Sequence, residues 1–159
     1  MRPTDPTLEE LISQHQSLVL EHFDYAIAWA IGAHIRDVAT RQGMPIAIEV
    51  SHGNAPVFLA LMPGSTPDNI DWVRRKRAVA VRFHKSSLYM RIEAQQKNWD
   101  FSKRWRIPEA DYVASGGSIP ITVRSAGVVG AATVSGLTDV DDHALVADAL
   151  RAVQAGGKS

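Results

Sequence analysis

Cysteine is absent from the 159 residues, which removes disulfides, thiolate nucleophiles, iron–sulfur clusters and zinc–thiolate sites together. Any metal would have to be held by histidine, carboxylate or hydroxyl groups. Long hydrophobic runs are missing too. No segment approaches the about 20 apolar residues that cross a bilayer, so no membrane partner is expected. Met1 to Leu20 carries Asp5, Glu9 and Glu10, with Glu21 just beyond, and lacks an uninterrupted apolar core. It does not read as a secretory signal, and the cytoplasm is the expected address. Nor is one sign of charge in excess, since 17 Lys and Arg balance 17 Asp and Glu. Bulk nucleic-acid binding usually shows a basic surplus, so no nucleic-acid partner is expected. Repeats and low-complexity tracts are absent. What is present is 45% hydrophobic and 21% charged, too apolar for a disordered chain. A chain of this length buries roughly 70% of its unfolded surface when it folds alone, so one domain over residues 1–159 is expected.

The charges that are present are unevenly placed. Between Ser65 and Ile107 eleven Lys or Arg stand against four acids, and between Pro108 and Leu150 six acids stand against Arg124 alone. Such polarity suits an anionic ligand, or head-to-tail pairing between copies of the chain.

Local signals outline the elements. Thr7 with Glu10 three residues on predicts a short first helix, and Ser17 to Phe23 reads as extended. Asp24 caps a second helix with the stripe Ile27, Ile31, Ile35 and Val38, ended by Gly43 and Pro45. Residues 46–52 and 55–62 flank Gly53-Asn54 as a β-hairpin. Thr66, Pro67 and Asp68 open a long helix that carries the basic run, and Ser86 or Ser87 starts a second piece through Gln96. Residues 98–117 hold Trp99, Phe101, Trp105, Pro108 and Tyr112 and read as an irregular crossing pinned by aromatics. Strands Ile119 to Arg124 and Val128 to Ser135 follow, and Gly130 within the second implies a bulge or the close approach of another backbone. Thr138 with Asp141 begins the last helix. Hairpins separated by helices indicate the α/β (α+β) class, with an antiparallel sheet covered by helices.

Several reactive constellations are excluded. There is no HExxH and no tight His/carboxylate cluster, so no metal site is expected. Ser135, Asp142 and His143 lack a GxSxG elbow, and adjacent Asp and His on a helix point about 100° apart, so they form no triad. The glycines of GGSIPI (116–121) and GVVGAATVSG (127–136) precede or interrupt strands, unlike a dinucleotide loop. His52 is expected to be structural on the Ile46, Ile48 and Val50 face. The charge of His143 stays open between its acidic neighbours and the helix dipole. With no nucleophile and base pair in view, hydrolase or isomerase activity ranks last. The principal candidate is WVRRKRAVAVRFHK (72–85). On a helix, Arg77 and His84 share a stripe with Val73, Ala80 and Val81, while Trp72, Lys76, Val79 and Phe83 form the neighbouring one. This is either a cationic wall for a small anionic ligand, with Trp72 or Phe83 against its flat part, or a solvated or subunit-facing surface whose long stems cover the core.

WVRRKRAVAVRFHKSS, the GGSIPI turn and GVVGAATVSGLTDVDDHALV resemble the haem-degrading-domain family of HbpS-like and GlcG-like proteins, and within it a branch of small bacterial and fungal proteins. The resemblance runs from about Phe23 to Ala152, and the order of elements agrees. It implies a profilin-like sandwich with an antiparallel sheet between helical layers, and assembly into large homo-oligomers. For some members it implies haem binding and iron-driven oxidative opening of the macrocycle. Haem needs a flat apolar slot, cations for two propionates and an axial donor. The sequence offers Trp72 and Phe83 for the slot, Arg74, Lys76 and Arg77 as cations, and His84 as donor, with Lys76 inside the matched motif. Two functions follow: a homo-oligomeric binder of a small anionic ligand, haem under the resemblance, and a non-catalytic assembly or adaptor protein whose basic helix meets its acidic C-terminal half between subunits.

Overall fold

Side-chain caps set most helix starts. Thr7 and Glu10 form a reciprocal capping box for α1 (Leu8–Ser17), and Asp24 accepts from the Ile27 N–H at the start of α2 (Tyr25–Gln42). The computed structural model describes residue 2 and residues 4–156. The hairpin forms as β1 (Ala47–His52) and β2 (Ala55–Leu61). Pro67 occupies the first turn of α3 (Pro67–Phe83), and Ser86 rather than Ser87 caps α4 (Ser87–Gln96), accepting from Tyr89 N–H at 3.1 Å. The second hairpin, β3 (Ser118–Val123) and β4 (Gly127–Ser135), leads into the final helix (Asp139–Gly156).

Two expectations change. The tract from Ser17 to Phe23 is no strand, because α1 runs through Ser17 and the chain then touches the sheet at one point, a parallel bridge from Leu20 to Val123. Only a few residues separate Leu18 from the Asp24 cap, too few for a ladder. The aromatic crossing contains a one-turn helix, α5 (Phe101–Trp105), because the Asp100 carboxylate accepts from Lys103 N–H at 3.0 Å and nucleates the turn. The last helix is therefore α6.

The four strands lie in the order β2-β1-β4-β3, every neighbouring pair antiparallel. Period-two alternation divides their side chains between two layers. Ile48, Val50, Ile119, Ile121, Ala132 and Val134 pack with α2 and α6 in the main core. On the opposite face Glu49 meets α3, and Thr133 and Ser118 share a hydroxyl hydrogen bond of 2.9 Å. The polar groups buried in that second layer need partners, and most have them, Arg77 Nε being an exception among the described residues. Gly130 stands opposite His52, and a Cβ there would run into the Ser51 carbonyl; the β3–β4 register also shifts beside it, so both alternatives left by the sequence, close approach and a bulge, meet at this position.

Long-range ion pairs lock the rim. Arg91, buried on α4, donates to Asp5 at 2.7 Å and to Asp139 at 2.6 Å, and Asp139 also accepts from Gly116 N–H. The N-terminal arm, α4, α6 and the turn before β3 are thereby tied at one guanidinium. At the other end of the sheet the outer edge of β2 has no partner strand among the described residues. Tyr25, Trp29, Leu59 and Leu61 lie beside it, each 52–58% exposed.

Candidate functional site

The structure distributes the six sequence-nominated residues, Trp72, Arg74, Lys76, Arg77, Phe83 and His84, over several neighbourhoods. Arg74 donates to Asp71 and Asp111, each at 2.9 Å, and to the Ala110 carbonyl. Arg75 also reaches Asp71 and lies 4.4 Å over the Trp72 ring. Arg77 sends one nitrogen to both Glu49 oxygens, at 2.6 and 2.8 Å, beneath α3. Phe83 packs against Phe101 and Trp105. The first half of the basic helix is thus largely neutralised by acids of its own chain. Sequence reasoning missed these partners because Glu49, Asp111 and Asp142 come from distant elements and no local spacing announces them.

Lys76 is the most buried of the six. Its Nζ donates to the Val134 carbonyl and to Asp142, both at 3.1 Å, and the two side chains are 3% and 1% exposed. Burial pushes the Lys76 amine down from the usual lysine range and, on the other side, pushes the Asp142 carboxyl up; their mutual attraction opposes both shifts. Asp142 also accepts from Leu137 N–H at 3.0 Å and Gly136 N–H at 3.4 Å, so the chain's own carboxylate already fills the amide groups at the start of α6. The pair borders a cavity of about 280 Å³ that Trp72 also lines. Its neighbour His143 plays no part in it. His143 Nε2 pairs with Gln14 Oε1 at 2.6 Å, Nδ1 has no partner among the described residues, and burial lowers the imidazole to about 4. The charge state left open by the sequence resolves to a neutral ring, because burial outweighs the attraction of Asp139.

His84 lies elsewhere. It terminates α3 in the left-handed region at φ 55°, which swings the chain into α4 and turns the ring away from the helix stripe. It borders a groove of about 200 Å³ between α1 and the α3–α4 junction, together with His15, Lys85, Tyr89, Leu11 and Ile12. Leu11 packs with Leu88 and Ile92 and so holds α1 against α4. His15 pairs through Nε2 with Thr122 Oγ1 at 3.2 Å. Burial first, then the nearby Lys85 and His84, hold this ring below the usual histidine range, so it is neutral at pH 7. Lys85 lies 4.5 Å over the Tyr89 ring. His15 was a histidine without assignment in the sequence, since its place in the groove depends on how α1 docks. Among the described residues no group of three or more His, Asp and Glu could hold a metal ion, and no helix is long and apolar enough to cross a membrane.

An antiparallel sheet with α2 and α6 on one face and α3 on the other, and cavities where the helices meet, defines a profilin-like α/β sandwich. Comparison with known proteins narrows this. The model for haem degrading protein HbpS-like matches residues 23–151, and the chain belongs to that family. A UPF0303 protein of Streptomyces avermitilis is 44% identical over 145 residues, 91% of this chain and 89% of that protein. The crystal structure of Ybr137w protein superposes with a TM-score of 0.89 at 28% identity, over 99% of this chain and 92% of that one. A complex of PduOC with haem shares the fold with a TM-score of 0.69 at 14% identity, over 82% of this chain and 94% of that one.

Proposed function

We propose that this protein is a cytoplasmic homo-oligomer that binds haem in the groove between α1 and the α3–α4 junction. The observation that carries the proposal is the meeting of two imidazoles, His15 and His84, beside a cation and an apolar wall. The residues present fit the group. His84 is exposed, and no hydrogen bond occupies its ring among the described residues, so it would ligate iron; His15 is neutral and, with its Nε2 on Thr122, would offer Nδ1 as the second donor. Lys85 supplies a charge for a propionate, and Leu11 and Ile12 supply apolar surface. Haem, when bound, brings the redox chemistry by which a macrocycle is opened; the chain ligates, orients and shields it. Membership of the haem-degrading family supports this assignment.

The groove, about 200 Å³, is smaller than the about 300–1,000 Å³ usual for a ligand pocket. A groove of that size would hold only part of a macrocycle, and a second subunit would supply the rest of the cover. The β2 edge supports self-association, since its outer side has no partner strand among the described residues and carries large apolar side chains around it, a feature that soluble monomers usually block. Light scattering is expected to give a multiple of the chain mass, and Leu59→Lys with Leu61→Lys is expected to reduce it. A wild-type protein that stays monomeric at all concentrations would remove the assembly half of the proposal.

Hemin titration tests the other half. Wild-type protein is expected to show a saturable Soret shift, and His84→Ala to weaken binding at least tenfold, about 1.4 kcal/mol. His15→Ala should change the spectrum of the bound form. An unsaturable shift, or a double variant that titrates like wild type, would leave the non-catalytic assembly reading in its place.

A further inference from the structure

We propose that Lys76 is a carbonyl-reactive amine which, with Asp142 as its proton-transfer partner, condenses with a small uncharged aldehyde admitted to the cavity between α3, Ser115 and the Ser135–Leu137 segment before α6. This site is separate from the imidazole groove and does not depend on haem.

Three features of the cavity support the assignment. The Lys76 amine has two protein acceptors, the Val134 carbonyl and Asp142, so one of the three hydrogens of its ammonium form lacks a partner among the described residues. Gly117 lets the turn before β3 lie directly against the amine and the Val134 carbonyl, on the side away from the cavity lining. A Cβ there would stand 2.8 Å from Nζ, and its φ of +137° is a conformation that side chains rarely adopt. The cavity holds about 280 Å³, enough for a molecule of a few heavy atoms, and Asn69, Ser115 and Ser135 present hydrogen-bonding groups to it. The charged groups that border it with Lys76 are the carboxyl groups of Asp139 and Asp142, which disfavour a substrate bearing its own carboxylate.

The chemistry needs an uncharged amine and a proton donor side by side. The resting pair is an ammonium and a carboxylate 3.1 Å apart, and desolvation, which disfavours both charges, eases transfer of the proton from the amine to the carboxyl. The Lys76 nitrogen lone pair attacks the carbonyl carbon, a C–N bond forms, and the π pair moves to oxygen, which takes a proton from Asp142. The nitrogen returns a proton to the carboxylate. Reprotonation of the new hydroxyl expels water as the nitrogen pair forms C=N, and loss of the remaining N–H proton leaves a neutral imine. The balance is amine plus aldehyde to imine plus water, with no oxidant or reductant.

Glycolaldehyde with cyanoborohydride at pH 6 tests this on the intact wild-type protein, because hydride reduction fixes any imine as a stable secondary amine. At that pH, exposed lysines with ordinary values of about 10.4 are almost wholly protonated. Peptide mapping is expected to find Lys76 modified at least tenfold faster than Lys85, Lys97 and Lys103, and unfolding in urea is expected to abolish the preference. Asp142→Asn should slow modification of Lys76 at least tenfold while leaving Lys85 unchanged; should that variant not fold, the wild-type preference decides alone. Lys76 left unmodified, or modified no faster than the exposed lysines, would make the pair a purely structural ion pair and overturn the proposal.

Discussion

Asp142→Ala is expected to lower the unfolding free energy by about 3–5 kcal/mol, read as a fall in the urea midpoint. The cause is the charge left behind. Lys76 is 2% exposed, and without its carboxylate the amine must either stay charged in a low-dielectric site or give up its proton. The same substitution strips the Gly136 and Leu137 amides of their acceptor, and an unsatisfied buried donor costs about 1–3 kcal/mol. Asp142→Asn, which keeps an acceptor, should lose less. Lys76→Met combined with Asp142→Leu should recover much of the loss, because an apolar pair of similar volume has no charge to desolvate. A cost below about 1 kcal/mol for Asp142→Ala would show that the pair is not buried as described.

Acidification from pH 6.5 toward 4 is expected to destabilise the wild-type protein by about 3 kcal/mol more than His143→Gln. In the unfolded chain His143 binds a proton near 6.5, whereas burial lowers the folded value to about 4. Between those values the unfolded state holds more protons, so stability falls as pH falls through the window. Above 6.5 the group makes no difference, and below about 4 both states are protonated and the difference is constant. Glutamine does not titrate, and the contributions of Lys76 and Asp142 are common to both proteins. Urea unfolding at a series of pH values measures the difference, and coincident curves would mean that His143 is not the buried neutral ring seen between Gln14 and α6.

The expected site depended on one helix gathering its cations toward a ligand, and the fold used most of them otherwise. Lys76 and Arg77 are adjacent in sequence and take partners on different elements, Asp142 from α6 and Glu49 from β1. Helical periodicity correctly placed both against apolar surface, since consecutive residues on a helix diverge but both can border a buried stripe. It carried no information about which acids lay across the gap. Unpaired cations survive farther along: Arg82, Lys85, Lys97, Lys103, Arg104 and Arg106 make no ion pair among the described residues, and Lys97 and Arg104 lie over Trp99. His84 illustrates a different limit. Its type marked it as a donor, but its left-handed backbone points it out of the stripe and toward α1, a partner separated from it by about seventy positions of chain.

The amino-acid order alone settled whatever depends on neighbours within a few positions: the caps at Thr7 and Asp24 and the Gly53-Asn54 turn. These are set by hydrogen bonds and sterics spanning one turn, so they survive any tertiary arrangement. The family motifs were legible for the same reason, as contiguous strings. Which charges are silenced in pairs, which imidazoles share a groove and which amine borders a cavity were decided only by folding. Those outcomes depend on burial and on contacts between residues dozens of positions apart, where one ångström of docking changes an interaction from solvated to desolvated.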